Sequence, residues 1–278
     1  MARELGINTY GYIWSMSAAD CVLRLARLGY RQFELLLQPP HLPLDDFGPV
    51  ARRELRAVLE DVGARRTALN LPSLDHNLAS PFSRVRAASV EMFCDAVDLA
   101  GDLGAEWLVV VPGRMSPLFP PPAADRLDWL ADGVSQLLPR AKARGVGLAI
   151  ENVPFAGLPD AASLGSFVRS FQSPWVKACY DAANAHFLGE SSADGIRQLA
   201  DQLRIVHLSD TTRTTWRHDP VGNGDVPFAE VAQALNAVGY DSAVTLEIID
   251  RDPDAGILRS HRALTPLGFT PCGQGTLA

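Results

Sequence analysis

Short apolar runs rich in Val, Ile and Leu recur along this chain, and each is followed by a longer stretch of helical period. Such a chain must bury both faces of its strands and carry a helix back across them, so the alternation calls for βα units and a parallel sheet. Eight runs fit: LGINTY from Leu5, QFELLL from Gln32, RTALNL from Arg66, EWLVVV from Glu106, GLAIEN from Gly147, VKACYD from Val176, LRIVHLSD from Leu203 and SAVTLEII from Ser242. Their starts lie 27 to 41 residues apart, about the length of one βα unit.

The intervening helices carry their own punctuation. Ser17 followed by Asp20 resembles a capping box, and Val22, Leu23, Ala26 and Leu28 keep helical spacing until Gly29. Gly63, Gly104, Gly145 and Gly239 close later helices in the same way. In the third helix Val85, Ala88, Met92, Ala96, Leu99 and Leu103 form the apolar stripe expected to lie on the sheet. Eight strands and eight helices in 278 residues predict one closed (β/α)8 TIM barrel over residues 1–269, with the aperiodic residues 270–278 as a flexible C-terminal tail. Neither GxGxxG nor a P-loop is present to suggest an open nucleotide-binding sheet. The Pro-rich stretch from Pro117 to Pro122 reads as a stiff loop after the fourth strand.

Composition narrows the function. With 25 Lys and Arg against 32 Asp and Glu the net charge is −7, which argues against a nucleic-acid partner held by a basic field. A hydrophobic share of 47% supports a large core. The start, MARELGINTYGYIW, has no apolar run of signal-peptide or membrane-span length, so a cytoplasmic enzyme without a membrane partner is expected. Cys21, Cys94, Cys179 and Cys272 are scattered and read as reduced, structural residues.

In such a barrel the chemistry gathers at the C-terminal ends of the strands. Glu151 ends GLAIE, Asp181 ends VKACYD, His207 interrupts IVHLSD and Glu247 follows AVTL. Three carboxylates in one buried mouth repel one another unless a cation supplies opposite charge. Singly, each residue has a plain structural role: a salt-bridge partner, a helix cap, a core histidine. Together, at the ends of four consecutive strands, they predict one divalent metal per chain. The oxygen-rich set suits Mn²⁺ first, with Mg²⁺, Co²⁺ or Zn²⁺ as alternatives.

The order Glu151, Asp181, His207, Glu247, with gaps of 30, 26 and 40 residues, resembles the metal ligands of ketohexose 3-epimerases. With LGYRQFEL, DLAGDLGAEWLVVVPG, GNGDVPF and GYDSAVTLEI it makes nearly the whole chain similar to the xylose isomerase-like TIM barrel family of sugar and sugar-phosphate isomerases and epimerases. The resemblance implies that Glu151 and Glu247 are the catalytic pair, trading a proton through a metal-stabilised enediolate. It also implies that Arg213, in HLSDTTR, contacts substrate, a role that its fork of donors suits. Two departures stand out. Where those epimerases place a sugar-binding His three residues after the Asp ligand, this chain has Asn184, with His186 nearby, and ENVPFAGLPD lacks their further Glu.

Around this centre His186, His76, Asn70, Tyr10 and Trp14 are candidate substrate-binding residues, because they follow barrel strands with groups that hold sugars. Asp210 is expected to orient a ligand or cap a turn. His218 and the Gly222 to Gly224 turn lie in the seventh loop, the usual neighbourhood of barrel phosphate sites. The expected function is isomerisation or epimerisation of a small sugar or sugar phosphate, with homo-oligomers common in the family. The alternatives are a metal-dependent dehydratase of the inosose or dehydroshikimate type and a non-catalytic barrel subunit of a larger assembly. A related three-zinc nuclease would need further His ligands from a chain with six His in total.

Overall fold

The computed structural model describes residues 3–72, 76–116, 118–242 and 244–270. Eight parallel strands, β1 (Arg3–Asn8), β2 (Gln32–Leu36), β3 (Arg66–Leu71), β4 (Trp107–Val110), β5 (Gly147–Glu151), β6 (Val176–Asp181), β7 (Leu203–Leu208) and β8 (Val244–Leu246), pair in sequence order, and β1 pairs with both β2 and β8 to close the barrel. The predicted TIM barrel is therefore the observed architecture. A short extra strand, β9 (Phe269–Thr270), adds in parallel to β1 through Arg3↔Phe269. Thr270, assigned to the tail from the sequence, is thus tied to the barrel, while the rest of that tail, with Cys272, lies outside the described residues. Pro117 lies outside them too.

Around the barrel run α1 (Ala18–Arg27), α2 (Pro49–Asp61), α3 (Ser83–Leu103), α4 (Ala123–Arg144), α5 (Ala161–Ser170), α6 (Ala182–Phe187), α7 (Ser192–Leu199), α8 (Phe228–Ala237) and α9 (Pro253–Leu264). Their ends follow the chemistry read from the sequence. The Ser17 hydroxyl accepts the Asp20 amide at 3.2 Å to cap α1. Gly104 and Gly145 close α3 and α4 in the left-handed conformation that glycine adopts without strain. Among the described residues there are nine helices rather than eight, because Gly189 turns left-handed after α6 and Ser191 caps a new helix. The stripe on α3 is also displaced from its expected phase. Its first turns bury Ser89 and Phe93 while Ala88 faces solvent and Val85 is half-buried; Met92 packs partly buried against the core, and Ala96, Leu99 and Leu103 coincide with the predicted stripe. Cys21 and Cys179 are buried, Cys94 is half-buried, and all three are free thiols. No helix among the described residues is long and apolar enough to cross a membrane.

The main core fills the layer between strands and helices. Inside the barrel a separate small cluster of Val109, Ala149, Cys179 and Ile205, backed by Ala68 and Trp107, forms an apolar floor. The Trp107 ring crosses over Gly147 on the neighbouring strand, where any β-carbon would collide with it. His207 meets this floor at Cys179, whose Sγ lies 3.5 Å from its Nε2. Replacing Gly147 with Ala should therefore cost about 1–3 kcal/mol in urea denaturation. A loss under about 0.5 kcal/mol, the range of neutral surface changes, would show that the floor has slack.

Candidate metal centre

Closure of the barrel brings four strand ends to one point. Glu151 is the last residue of β5, Asp181 the last of β6, His207 lies in β7 opposite Asp181, and Glu247 directly follows β8. One ligand-type atom from each lies within 4.8 Å of all the others, and all four residues are buried. The carboxylates converge on a single atom. His207 Nδ1 lies 3.1 Å from Glu151 Oε1, 3.3 Å from Glu247 Oε2 and 4.0 Å from Asp181 Oδ2.

Local structure fixes each of these side chains. Asn152 Oδ1 accepts the Asp181 amide at 2.7 Å, and its Nδ2 donates to the Asp181 carbonyl at 3.0 Å, stitching the ends of β5 and β6. Asp181 is also the N-cap of α6, where Oδ1 accepts the Asn184 amide at 2.6 Å. Asn8 Nδ2 donates to Glu247 Oε1 at 3.2 Å and to Glu34 Oε1 at 2.8 Å. Glu34, buried in β2, in turn places Oε2 2.8 Å from His207 Nε2 and accepts from Asn70 Nδ2 at 2.8 Å.

Four carboxylates thus surround two imidazoles, because His218 also joins the cluster. Its Nδ1 lies 3.3 Å from Glu247 Oε2, 3.8 Å from Asp181 Oδ2 and 3.1 Å from the Ser209 hydroxyl. The titration of the groups shows the excess of negative charge. Burial lifts the Glu151 carboxyl to about 7, with His207 offsetting part of the rise, and lifts Asp181 to about 6. Burial pulls the imidazoles down, but neighbouring acidic groups outweigh it, raising His207 well above its ordinary range and His218 to about 9. For Glu247 the two imidazoles overcome burial and hold it well below the usual carboxylate range.

A divalent cation fits this donor set. Asp181 Oδ2 and Glu247 Oε2 are fully buried and meet only the imidazole nitrogens of His207 and His218, at 3.3 to 4.0 Å and outside good hydrogen-bond geometry, and burying such oxygens without full compensation is costly. Both residues belong to the set whose ligand atoms converge within 4.8 Å. With Glu34 accepting from Nε2, a neutral His207 turns its Nδ1 lone pair toward the same point. Cys179 Sγ lies 3.5 Å from His207 Nε2, but burial holds its thiol protonated, which favours the oxygen set over one containing sulfur.

A cavity of about 520 Å³ opens above the cluster, lined by Glu151, Glu247, His218, Asn70, Tyr10 and Trp216 among others. Of the substrate-binding residues expected from the sequence, Tyr10 and Asn70 line it. His76 is buried edge-on to Phe93, His186 is buried with Nε2 2.7 Å from Asp225 Oδ1, Trp14 is 72% exposed and Arg213 is exposed beside Gly189. None of these four is among the cavity's lining residues, whereas Arg217 is. Asp210 organises its own loop, accepting amides from Thr211, Gly222 and Val226. The Gly222 amide is thereby committed, and Gly224 packs directly on the Thr211 carbonyl, so this turn is a structural fold-back rather than an open phosphate cradle. Sequence reasoning missed Glu34, although a Glu inside QFELLL is the same signal that picked out His207. It also left His218 outside the metal cluster, and no local pattern around it points there.

A sequence model of the xylose isomerase-like TIM barrel family matches residues 22–267. The chain belongs to that family. It is 26% identical over 255 residues to an L-ribulose 3-epimerase of Mesorhizobium japonicum, covering 89% of this chain and 81% of that one. It is 28% identical over 184 residues to an uncharacterized protein of Methanocaldococcus jannaschii, covering 64% of this chain and 63% of that protein. Among solved structures, a D-tagatose 3-epimerase-like protein superimposes with a TM-score of 0.83 at 22% identity, covering 95% of this chain and 96% of that one. Its relatives thus include sugar epimerases.

Two outcomes test the centre. Glu34→Gln, which keeps the shape but loses the acceptor charge behind His207, should weaken Mn²⁺ or Co²⁺ affinity about 10–100-fold by calorimetry. Unchanged affinity would remove Glu34 from the site's design. Glu151 binds its proton more tightly folded than unfolded, so its contribution to stability is present below its ordinary value of 4.5 and is lost as pH rises through about 7. In metal-free protein, the stability of wild type relative to Glu151→Gln should fall across that window by on the order of 1.4 kcal/mol for each tenfold gain in proton affinity on folding. A flat difference would show that Glu151 ionises normally.

Proposed function

We propose that this chain is a divalent-metal-dependent epimerase or isomerase of a small sugar or sugar phosphate. The reading rests above all on one observation: Glu151 and Glu247 reach the floor of a single cavity from β5 and β8, on different sides of the barrel mouth, within 4.8 Å of Asp181 and His207. Similarity to an L-ribulose 3-epimerase supports the same class of chemistry. Glu151, Asp181, His207 and Glu247 would hold the cation. A cation held there would offset the charge of the carboxylates and would supply Lewis-acid polarisation of a carbonyl, which would acidify the neighbouring C–H.

The chain's own residues then do the proton work. One of Glu151 and Glu247 takes the proton from one face of the carbon, and the other returns a proton. Return to the opposite face of the same carbon gives an epimer, and return to the adjacent carbon gives an isomer. Asn8 and Glu34 hold Glu247 and His207 in place below the substrate. Tyr10 and Asn70 supply a hydroxyl and an amide for sugar hydroxyls from the cavity wall. Arg217, which lines the cavity, is a cation available to an anionic substituent. We place the reaction in the cytoplasm.

The test is solvent deuterium incorporation into a panel of keto sugars and keto-sugar phosphates, run with metal-loaded protein and repeated after chelation. The loaded protein should bind about one divalent ion per chain, and should exchange deuterium at a carbon next to the carbonyl. Glu151→Gln and Glu247→Gln should each lower exchange about 10²–10⁴-fold. Loss of water from the labelled substrate would mark a dehydratase instead. No exchange with any substrate by metal-replete protein would refute the proposal.

A further inference from the structure

The cavity is lined both by polar groups of the cluster and by apolar side chains, and its most unusual part is a group of aromatic rings around Trp216. Trp216 lines the cavity yet is 41% exposed. Its ring centroid lies 6.2 Å from that of His218, which itself touches Glu247. Phe187 stacks on Trp216 at 6.4 Å, and Phe155 meets it edge-on at 5.9 Å. The rings therefore form one contiguous group that begins beside His218 of the cluster and ends at the exposed Phe155.

Two further features set this group apart from surplus surface hydrophobicity. First, Trp216 is locked. Its indole Nε1 donates to Asn184 Oδ1 at 2.7 Å, and Asn184 Nδ2 donates to the Asn152 carbonyl at 3.0 Å, so the ring is indexed to the residues that hold Asp181. Second, Phe155 is 49% exposed and takes a left-handed backbone, φ 61°, which a bulky side chain adopts only under strain. That conformation is held by the Met115 amide donating to the Phe155 carbonyl at 2.9 Å and by the Arg114↔Ala156 bridge. A strained backbone presenting an exposed ring gains nothing for the core. Val153 and Ile249 continue the apolar wall around the same cavity.

A single keto-sugar ring over the cluster can lay only one C–H face on one aromatic ring, whereas this group extends from Trp216 on to Phe155 and Phe187. Resting on the epimerase or isomerase reading, we infer that the substrate is a glycosidically substituted keto sugar, whose second ring lies with its C–H face against Trp216. Phe155 and Phe187 buttress that ring, and the metal cluster acts on the keto ring below. The position three residues after Asp181 fits this division. Asn184 spends its amide on Trp216 and on the Asn152 carbonyl, so that residue shapes the wall instead of contacting the reacting sugar.

The probes are D-fructose and two of its glycosides, isomaltulose and lactulose, each assayed for metal-dependent deuterium exchange and for quenching of tryptophan fluorescence. At least one glycoside should exchange with kcat/KM about tenfold or more above fructose. Trp216→Ala and Phe155→Gly should each cut that ratio toward one. Glycine suits the left-handed backbone at position 155, so this second variant should fold at least as well as wild type and keeps the test open if the first does not fold. Equal or faster exchange into fructose would overturn the aromatic subsite while leaving the epimerase reading intact. Saturable quenching by a glycoside, lost in Phe155→Gly and accompanied by no exchange in any sugar, would support the subsite and refute the epimerase reading. Neither quenching nor exchange with either glycoside would overturn the inference.

Discussion

Three buried carboxylates converging on one imidazole nitrogen cannot share a site without positive charge among them, and the rest of this structure is arranged around that requirement. In water each carboxylate would be solvated separately. At the mouth of the barrel, burial and mutual repulsion raise Glu151 and Asp181, while the imidazoles become hosts for protons. A site assembled from such groups is destabilising by itself. It persists because the strands that carry it are fixed by a backbone ladder around the whole barrel, independent of the charges they present.

The same hydrogen bonds that end the strands also set the chemistry. Asn152 exchanges two bonds with the backbone of Asp181, so the registers of β5 and β6 decide where Glu151 and Asp181 point. Asp181 caps α6 with one oxygen and leaves the other unpaired toward the cluster. Capping favours the ionised carboxylate, because an amide donates to it at a helix N-terminus, while burial disfavours it. The cap thus offsets part of the rise that burial imposes on Asp181. Local folding and ligand chemistry are here one interaction, seen from two sides of the same side chain.

The fold was legible because its signal is periodic. Eight apolar runs at unit spacing predict eight strands, and the four strand-end ligand groups follow from asking what an ionisable residue does at the end of a buried strand. The less periodic features were less legible. The α3 stripe could be read in more than one phase, and the sheet selects the one that buries Phe93. Gly189 and Ser191 split a segment that reads as a single helix. Glu34 was visible by the rule that found His207, but it sits mid-strand, below the layer in which barrel chemistry is expected. His218 was not legible, because its position depends on a loop folded back by Asp210 through bonds to three amides and a backbone bridge to Asp219. No spacing rule encodes that.

That loop joins the two halves of the site. Between Asp210 and Gly222 it delivers Trp216 to the cavity wall, Arg217 to the cavity's lining and His218 to the carboxylates, while its own ends are pinned by a buried carboxylate that takes no part in the cluster. A substrate group pressing on Trp216 therefore bears on the segment that presents an imidazole to Glu247 and Asp181, two residues further along the chain. The barrel supplies a rigid ring of strand ends that fixes the ligand atoms. The seventh loop brings Trp216, Arg217 and His218 to the same cavity, so three successive side chains of one pinned segment join the cavity wall to the cluster.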